Sequence, residues 1–271
     1  MDLLTAAIYG ALQGATEFLP ISSTAHLRIL PALMGHEDPG AAFTAAIQLG
    51  TLLAVFVYFF KDIVQVLRVG IPKNGKGTRE RQMLLAVLLG SIPIVILGVA
   101  FKDQIEGSLR SLYVVATMLI VMALVLGAAE KFGKRTRGIE TITTRDGIFV
   151  GLWQAVALIP GASRSGSTIS GALFSGLDRA AAARFSFLLS IPSVLAAGIF
   201  SLAKHKEMLQ PGNQAFAAVM TANAVSFVVG LAAIWGLIEM LKRTSTWVFI
   251  FYRLALGAAL IFALTQGHLS P

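Results

Sequence analysis

The sequence predicts an all-α integral membrane protein with an inverted-topology repeat, made of six full spans and two re-entrant regions of broken helix. Three observations carry that prediction. Of 271 residues, 56% are hydrophobic and only 13% charged, against roughly 45–50% apolar and ~25% charged in soluble domains; mean hydropathy is +0.76. The charges gather in short loops between long apolar runs. Finally, two apolar regions at matching places in the two halves are interrupted by Pro, Gly, Ser and ionisable residues. So few charges cannot cover a water-facing surface, which excludes a soluble globular domain, a disordered chain and a nucleic-acid binder. We expect one membrane domain over 1–271, with repeat 1 at 1–130, a basic cytoplasmic linker at 131–145 and repeat 2 at 146–271.

A spanning helix needs about 20 mainly apolar residues. In chain order, Leu3–Leu33 fails that test, because Glu17, Pro20, Ser22-Ser23-Thr24, His26 and Arg28 break it. Ala41–Phe60, Gln82–Phe101 and Ser111–Ala129 pass. Gly147–Leu177 fails, broken by Pro160, Gly161, Arg164 and Gly166. Phe185–Ala203, Met208–Ile238 and Thr244–Gln266 pass, the last interrupted only by Arg253. Each failing region reads as helical pieces that enter the membrane, break and turn back, an arrangement tolerable where protein or a watery cavity satisfies the backbone.

Spacing relates the halves. Gly10-x-x-Gln13 leads to Pro20 and a serine cluster, and Gly151-x-x-Gln154 leads to Pro160 and another. Ser23 precedes Phe43 by 20 residues, as Ser165 precedes Phe185. Pro/Gly-interrupted segments at corresponding positions point to a midplane binding site; ordinary kinked helices without symmetry are the alternative.

Loop charge gives the orientation. Lys61, Arg68, Lys73, Lys76, Arg79 and Arg81, then Lys131, Lys134, Arg135, Arg137 and Arg145, then Lys242 and Arg243 share one side: thirteen of the 22 basic residues. The opposite loops hold four, namely Lys102, Arg110, Lys204 and Lys206. The positive-inside rule then puts both termini outside the cytoplasm, and an odd number of crossings per half makes the repeats inverted. A lone cysteine at Lys76 is expected to react only with thiol reagent that has reached the cytoplasm; labelling of intact cells by an impermeant reagent would reverse the topology. With no cysteine, disulfides, thiolate nucleophiles and Cys-held metals are excluded. Met1-Asp2-Leu3-Leu4 places an acid where a secretion signal carries base, so no cleaved signal is expected.

A charge at the bilayer centre costs at least about 2.5–3.5 kcal/mol, which makes Glu17, His26 and Arg164 functional candidates. In Pro160-Gly161-Ala-Ser163-Arg164-Ser165-Gly166-Ser167-Thr168, the glycines allow a sharp turn, and Ser165, Ser167 and Thr168 can cap a helix starting near Ile169. Such an N-terminus, with about +0.5 of a charge and free N–H groups, suits an anion, and Arg164 adds a fork matched to phosphate oxygens. The bland alternative is a Ser/Gly turn with Arg164 snorkelling. In the first region Ser23 and His26 lie three apart, on one face of a helical turn, so the imidazole could take a proton from a serine nucleophile. Glu17 could orient His26 or hold a divalent cation. Here the alternative is a helix cap at Ser22-Ser23-Thr24 with His26 bonded in the core. Arg253 either snorkels or faces the cavity as a second phosphate ligand, and its depth favours the cavity. Arg179 and Arg184 read as interfacial.

At these residues a resemblance emerges. Gln13-x-x-x-Glu17 followed by Pro20-Ile-Ser22-Ser23-Thr24-Ala25-His26, and then Pro160-Gly-Ala-Ser163-Arg164-Ser165-Gly166-Ser-Thr168, resemble the two signatures of the bacterial undecaprenyl-diphosphate phosphatase family, the bacitracin-resistance type. The similarity runs through the chain to Tyr252-Arg253. It implies hydrolysis of undecaprenyl diphosphate to undecaprenyl phosphate and inorganic phosphate, recycling the carrier for peptidoglycan synthesis. It also implies a bacterial plasma (inner) membrane location with the site open to the outer, periplasmic side, and help from Mg²⁺ or Ca²⁺. The expected partners are a polyprenyl diphosphate lipid and the bilayer, not nucleic acid; a homodimer is left open. By motif position, Glu17, Ser23, His26 and Arg164 would be catalytic. Gln13, Ser22, Ser163, Ser165, Gly166, Thr168 and Arg253 would bind substrate, and Glu17 would hold metal. Gln13 stands where many members have Glu, which weakens a two-carboxylate metal site, and Ala25 replaces a common Gly.

Residue chemistry and resemblance converge on Ser23 attacking the terminal phosphorus while His26 accepts its proton; a water activated by His26 is the rival nucleophile. The architecture also suits a carrier of a lipid phosphate or an anion, which would not need the Ser23/His26 pair. A purely structural scaffold has no use for Glu17, Arg164 and Arg253 inside apolar segments.

Overall fold

The computed structural model describes residues 1–69 and 78–270; Lys73 and Lys76 lie outside the described residues. The described chain is helical. The helices are α1 (Leu3–Glu17), α2 (Ser23–Met34), α3 (Gly40–Tyr58), α4 (Phe60–Val69), α5 (Thr78–Ala100), α6 (Lys102–Glu106), α7 (Leu112–Phe132), α8 (Thr144–Val156), α9 (Arg164–Phe174), α10 (Arg179–Lys204), α11 (Gln214–Arg243) and α12 (Trp247–Thr265). Among the described residues, six helices are long and apolar enough to cross a membrane: α3, α5, α7, α10, α11 and α12. These are the six spans expected from the apolar runs.

Boundaries follow local chemistry. The run at Met208–Ile238 starts its helix only at Gln214, because Pro211-Gly212 ends the preceding 3₁₀ turn and Asn213 caps α11 by accepting from the Ala215 N–H. Asp2, Ser111 and Asp178 cap α1, α7 and α10 in the same way. At Thr143 a reciprocal capping box with Asp146 opens α8. The short helix α4, which the apolar runs did not announce, carries Lys61, Asp62 and Arg68.

The short helices are positioned by packing across the halves. α1 lies chiefly along α11, and α8 chiefly along α5. Both contacts depend on small residues, which let backbones approach closely: a Cβ on Gly10 would collide with Ala222 of α11, and one on Gly151 with Gly90 of α5. α3 packs on α10 and α11, and α7 on α12. Large apolar side chains such as Leu4, Phe132, Val228, Trp235 and Phe262 remain more than half exposed on the outside, which is the surface a lipid solvent covers.

The 131–145 segment is anchored by ion pairs of Arg135 and Arg137. Buried Glu130 accepts hydrogen bonds from Arg135, Arg179 and Thr246, tying the end of α7 to the starts of α10 and α12. Arg179 is thereby a ligand of Glu130, while Arg184 pairs with Asp62 on α4. Arg137 holds Asp146 through both guanidinium nitrogens, at 2.9 and 2.7 Å. Burial disfavours ionisation of Asp146, but the hydrogen bonds from Arg137 and Thr143 outweigh it and keep the carboxyl below its ordinary value.

Candidate active site

α1 and α8 contain 15 and 13 residues, rising about 22 and 20 Å, short of the ~30 Å hydrocarbon core. Each ends in a break followed by a second short helix. The breaks share one backbone solution. Ser22 has φ 73° and ψ 94°, and Ser163 has φ 73° and ψ 115°. With Arg135 they are the non-glycine residues at positive φ among the described residues. Strain of that kind persists only where the surroundings enforce it and concentrates at functional sites. Each of the two serines caps the next helix: Ser22 Oγ accepts from the Ala25 N–H at 3.3 Å, and Ser163 Oγ from the Gly166 N–H at 3.1 Å. α9 therefore begins at Arg164 under Ser163, not near Ile169 under Ser165, Ser167 or Thr168.

The two breaks meet. Arg164 Nη2 forms an ion pair with Glu17 Oε1 across them. Glu17 Oε2 accepts from Ser23 Oγ at 2.6 Å and from Gln13 Nε2 at 2.9 Å. Ser165 Oγ donates to Leu19 O at 2.9 Å. A cavity of about 500 Å³ opens on this junction; its polar end is lined by Glu17, Ser23, Thr24, Ser163 and Arg164, its walls by residues such as Val95, Leu158 and Phe200. Arg164 Nη1 is buried with no hydrogen-bond partner, which costs about 1–3 kcal/mol until an acceptor arrives. The starts of α2 and α9 both border the cavity, adding two helix N-termini to that cation.

Three expectations need correction. First, His26 is hydrogen-bonded to groups other than Ser23, whose hydroxyl donates to Glu17. Its Nδ1 lies 2.7 Å from Ser22 O, and its Nε2 2.6 Å from the Tyr252 hydroxyl, with the two rings parallel. A carbonyl can only accept, so Nδ1 carries the proton and braces the break. The imidazole does not line the cavity. Tyr252, beside Arg253 in the last span, is the partner that helical spacing could not supply.

Second, Arg253 is not open to an anion. It is fully buried and donates to five carbonyls: Leu119, Pro20, Met118, Gly161 and Ala162, at 3.0–3.2 Å. Three of these belong to the breaks, where no helix supplies a donor. Gly166 is what admits the guanidinium, because a Cβ there would stand 2.9 Å from Nη1.

Third, several other candidates stand behind the cavity wall rather than on it. Thr168 Oγ1 bonds back to Arg164 O at 2.7 Å and also meets Ser186. Ser165 is engaged with Leu19 and Ser163, and Gln13 and Ser22 with the helix ends as described.

The donor set also does not fit a protein-held Mg²⁺ or Ca²⁺. Glu17 is the single carboxylate at the polar end, and its oxygens already accept from Arg164, Ser23 and Gln13. The unpartnered Gln13 Oε1 is one neutral oxygen, where these ions collect six or more. Among the described residues, no three His, Cys, Asp or Glu cluster to hold a metal.

Comparison of the sequence with known proteins gives a family match over most of the chain and full-length relatives. The family described as Bacitracin resistance protein BacA matches residues 6–259. A protein of Chlorobium limicola named undecaprenyl-diphosphatase is 51% identical over 99% of both chains. One of Chlorobaculum parvum with the same name is 49% identical over the full length of both. A third, from Myxococcus xanthus, is 48% identical over all of this chain and 92% of its own.

Proposed function

The chain belongs to the bacitracin resistance protein BacA family, and from that membership we propose the chemistry its site performs: hydrolysis of undecaprenyl diphosphate to undecaprenyl phosphate and inorganic phosphate. It is a multi-pass membrane hydrolase whose product is the lipid carrier of cell-wall synthesis, and its activity gives resistance to bacitracin. The observation that carries the reading is the junction of the two breaks. There a serine hydroxyl bonded to a carboxylate lines the same cavity as an arginine that keeps one buried guanidinium nitrogen without a partner.

The terminal phosphate is held by Arg164 and by the N–H groups that start α2 and α9. Ser23 Oγ attacks the terminal phosphorus and passes its proton to Glu17. The bond from that phosphorus to the bridging oxygen breaks, and the electron pair leaves with undecaprenyl phosphate, which takes the proton from Glu17. Water then attacks the phosphoserine, giving a proton to Glu17; the phosphorus–Oγ bond breaks, and Ser23 recovers the proton as inorganic phosphate departs. Holding spread negative charge is the main task in phosphoryl transfer, and an arginine drawn toward phosphate also leaves Glu17 the stronger base. A divalent cation, where it helps, arrives bound to the diphosphate.

The topology belongs to the same proposal: inverted repeats, re-entrant α1–α2 and α8–α9, both termini outside the cytoplasm and the cavity open to the outer side. Its support is the reciprocal packing of α1 on α11 and α8 on α5, together with a cavity mouth bordered by the loops poor in basic residues.

The test is phosphate release from detergent-solubilised undecaprenyl diphosphate with no gradient present. Wild type is expected to turn over, and Arg164→Ala to lose about 10²–10³-fold, the usual cost of removing one charge-stabilising donor. Tight binding without release by wild type would favour a carrier instead.

A further inference from the structure

The loops 101–111 and 204–213 lie on the side that carries four of the 22 basic residues. Three of those four, Lys102, Arg110 and Lys204, line the cavity, whereas the described basic residues of the opposite loops contribute none. Lys206 is the one other basic residue of those loops, and the gathering of the remaining three at one opening calls for a reason beyond membrane orientation.

The cations are also placed by their partners. Arg110 donates to Asp38 through Nε and Nη2, at 2.9 and 2.8 Å. Arg28, on the helix that carries Ser23, donates to Arg110 O at 3.3 Å and lies 3.6 Å from Asp38. Lys204 Nζ lies 3.6 Å from Glu106, and Lys102 Nζ sits 5.1 Å above the Phe200 ring. A second cavity of about 390 Å³ adjoins the first, sharing Glu106 and Arg110 and adding Arg28, Asp38, Ser108 and Ser111. Among the described residues, Arg28, Lys102, Arg110 and Lys204 face the carboxylates of Asp38, Glu106 and, next to Lys204, Asp103, so the cations outnumber the carboxylates by one. The rest of the lining is mostly apolar, formed by residues such as Leu158, Val194 and Phe200, with Thr44, Gln48, Ser193 and Ser201 among its polar groups.

We propose that the cavity mouth is a second phosphate-binding station, with Lys102, Arg110 and Lys204 holding a multiply charged phosphate on its way between water and the junction of the breaks. This rests on the phosphatase reading, and two species share the chemistry: the diphosphate headgroup arriving and the inorganic phosphate departing. Focused positive charge at an opening raises the local concentration of either, and its effect falls with salt.

The paired variant Lys102→Gln/Lys204→Gln in the full-length protein leaves the Arg110–Asp38 pair and the catalytic end intact. If the headgroup uses the station, KM for the lipid rises about fivefold; if the departing product uses it, the inhibition constant of added inorganic phosphate rises by a similar factor. In both cases turnover loses much of its salt dependence. KM, product inhibition and salt dependence all unchanged would overturn the proposal. A second measurement does not need turnover. Inorganic phosphate added to Arg164→Ala protein is expected to show ³¹P line broadening that disappears when Lys102→Gln and Lys204→Gln are added. No broadening with Arg164→Ala would reject the station, whereas absence of phosphate release by wild type would reject the phosphatase reading alone.

Discussion

Glu17→Gln is expected to lower phosphate release by about 10²–10⁴-fold, the range for loss of a general base, with little change in KM. The amide is nearly isosteric and its oxygen can still accept from Arg164, while the Ser165–Leu19 bond is untouched, but it cannot take the Ser23 proton that Glu17 Oε2 now accepts as a hydrogen bond at 2.6 Å. Ser23→Ala is expected to fall at least as far, because it removes the nucleophile itself. The double variant should be no worse than the poorer single one, since the two groups act as a unit. Phosphoserine trapped at Ser23 on rapid acid quench would support covalent attack. Full activity in Ser23→Ala would transfer the attack to a water on Glu17, and full activity in Glu17→Gln would remove the base assignment altogether. Because His26 braces the break through Ser22 O and Tyr252, His26→Ala is expected to lower activity by displacing Ser23.

Why the sequence paired Ser23 with His26, and the folded chain pairs Ser23 with Glu17, is a matter of competing partners. Three-residue spacing does place both side chains on one helical face. Yet the carbonyl that begins α2 lies four residues before His26, within reach of the same ring, and a fixed acceptor in the membrane takes the donor first. Ser22 at positive φ meanwhile turns the start of α2 back on the end of α1, bringing Ser23 to Glu17. That backbone state is not encoded by residue type, since serine rarely adopts it.

The spans were legible because about 20 apolar residues with no charge have few other uses, and Gln13/Gln154 with Pro20/Pro160 exposed the matching breaks. The mouth cations were legible only as a count. Sequence showed that Lys102, Arg110 and Lys204 were scarce on their side, and the fold gathers them at one opening. Arg253 misled for a related reason: depth within a span identifies a buried cation, but not whether an anion or backbone carbonyls satisfy it.

Arg253→Ala separates those two roles. A phosphate ligand exposed to the cavity would, when truncated, raise KM and leave the fold alone. The clamp seen here predicts the reverse. Removing the guanidinium strands the Pro20, Gly161 and Ala162 carbonyls in a site closed to water, at about 1–3 kcal/mol for each buried group left unsatisfied. A total loss above about 3 kcal/mol is therefore expected, at the upper end for single substitutions, read as a large fall in the thermal unfolding midpoint in detergent with activity lost in parallel. Arg253→Lys keeps the charge but offers three donors from one atom, too few and too compact to span carbonyls contributed by both breaks and by α7. It should recover only part of the stability. An Arg253→Ala protein with an unchanged unfolding midpoint and a raised KM would return this residue to the substrate. It would also leave the meeting of the two breaks to the Arg164–Glu17 pair and the Ser165–Leu19 bond alone.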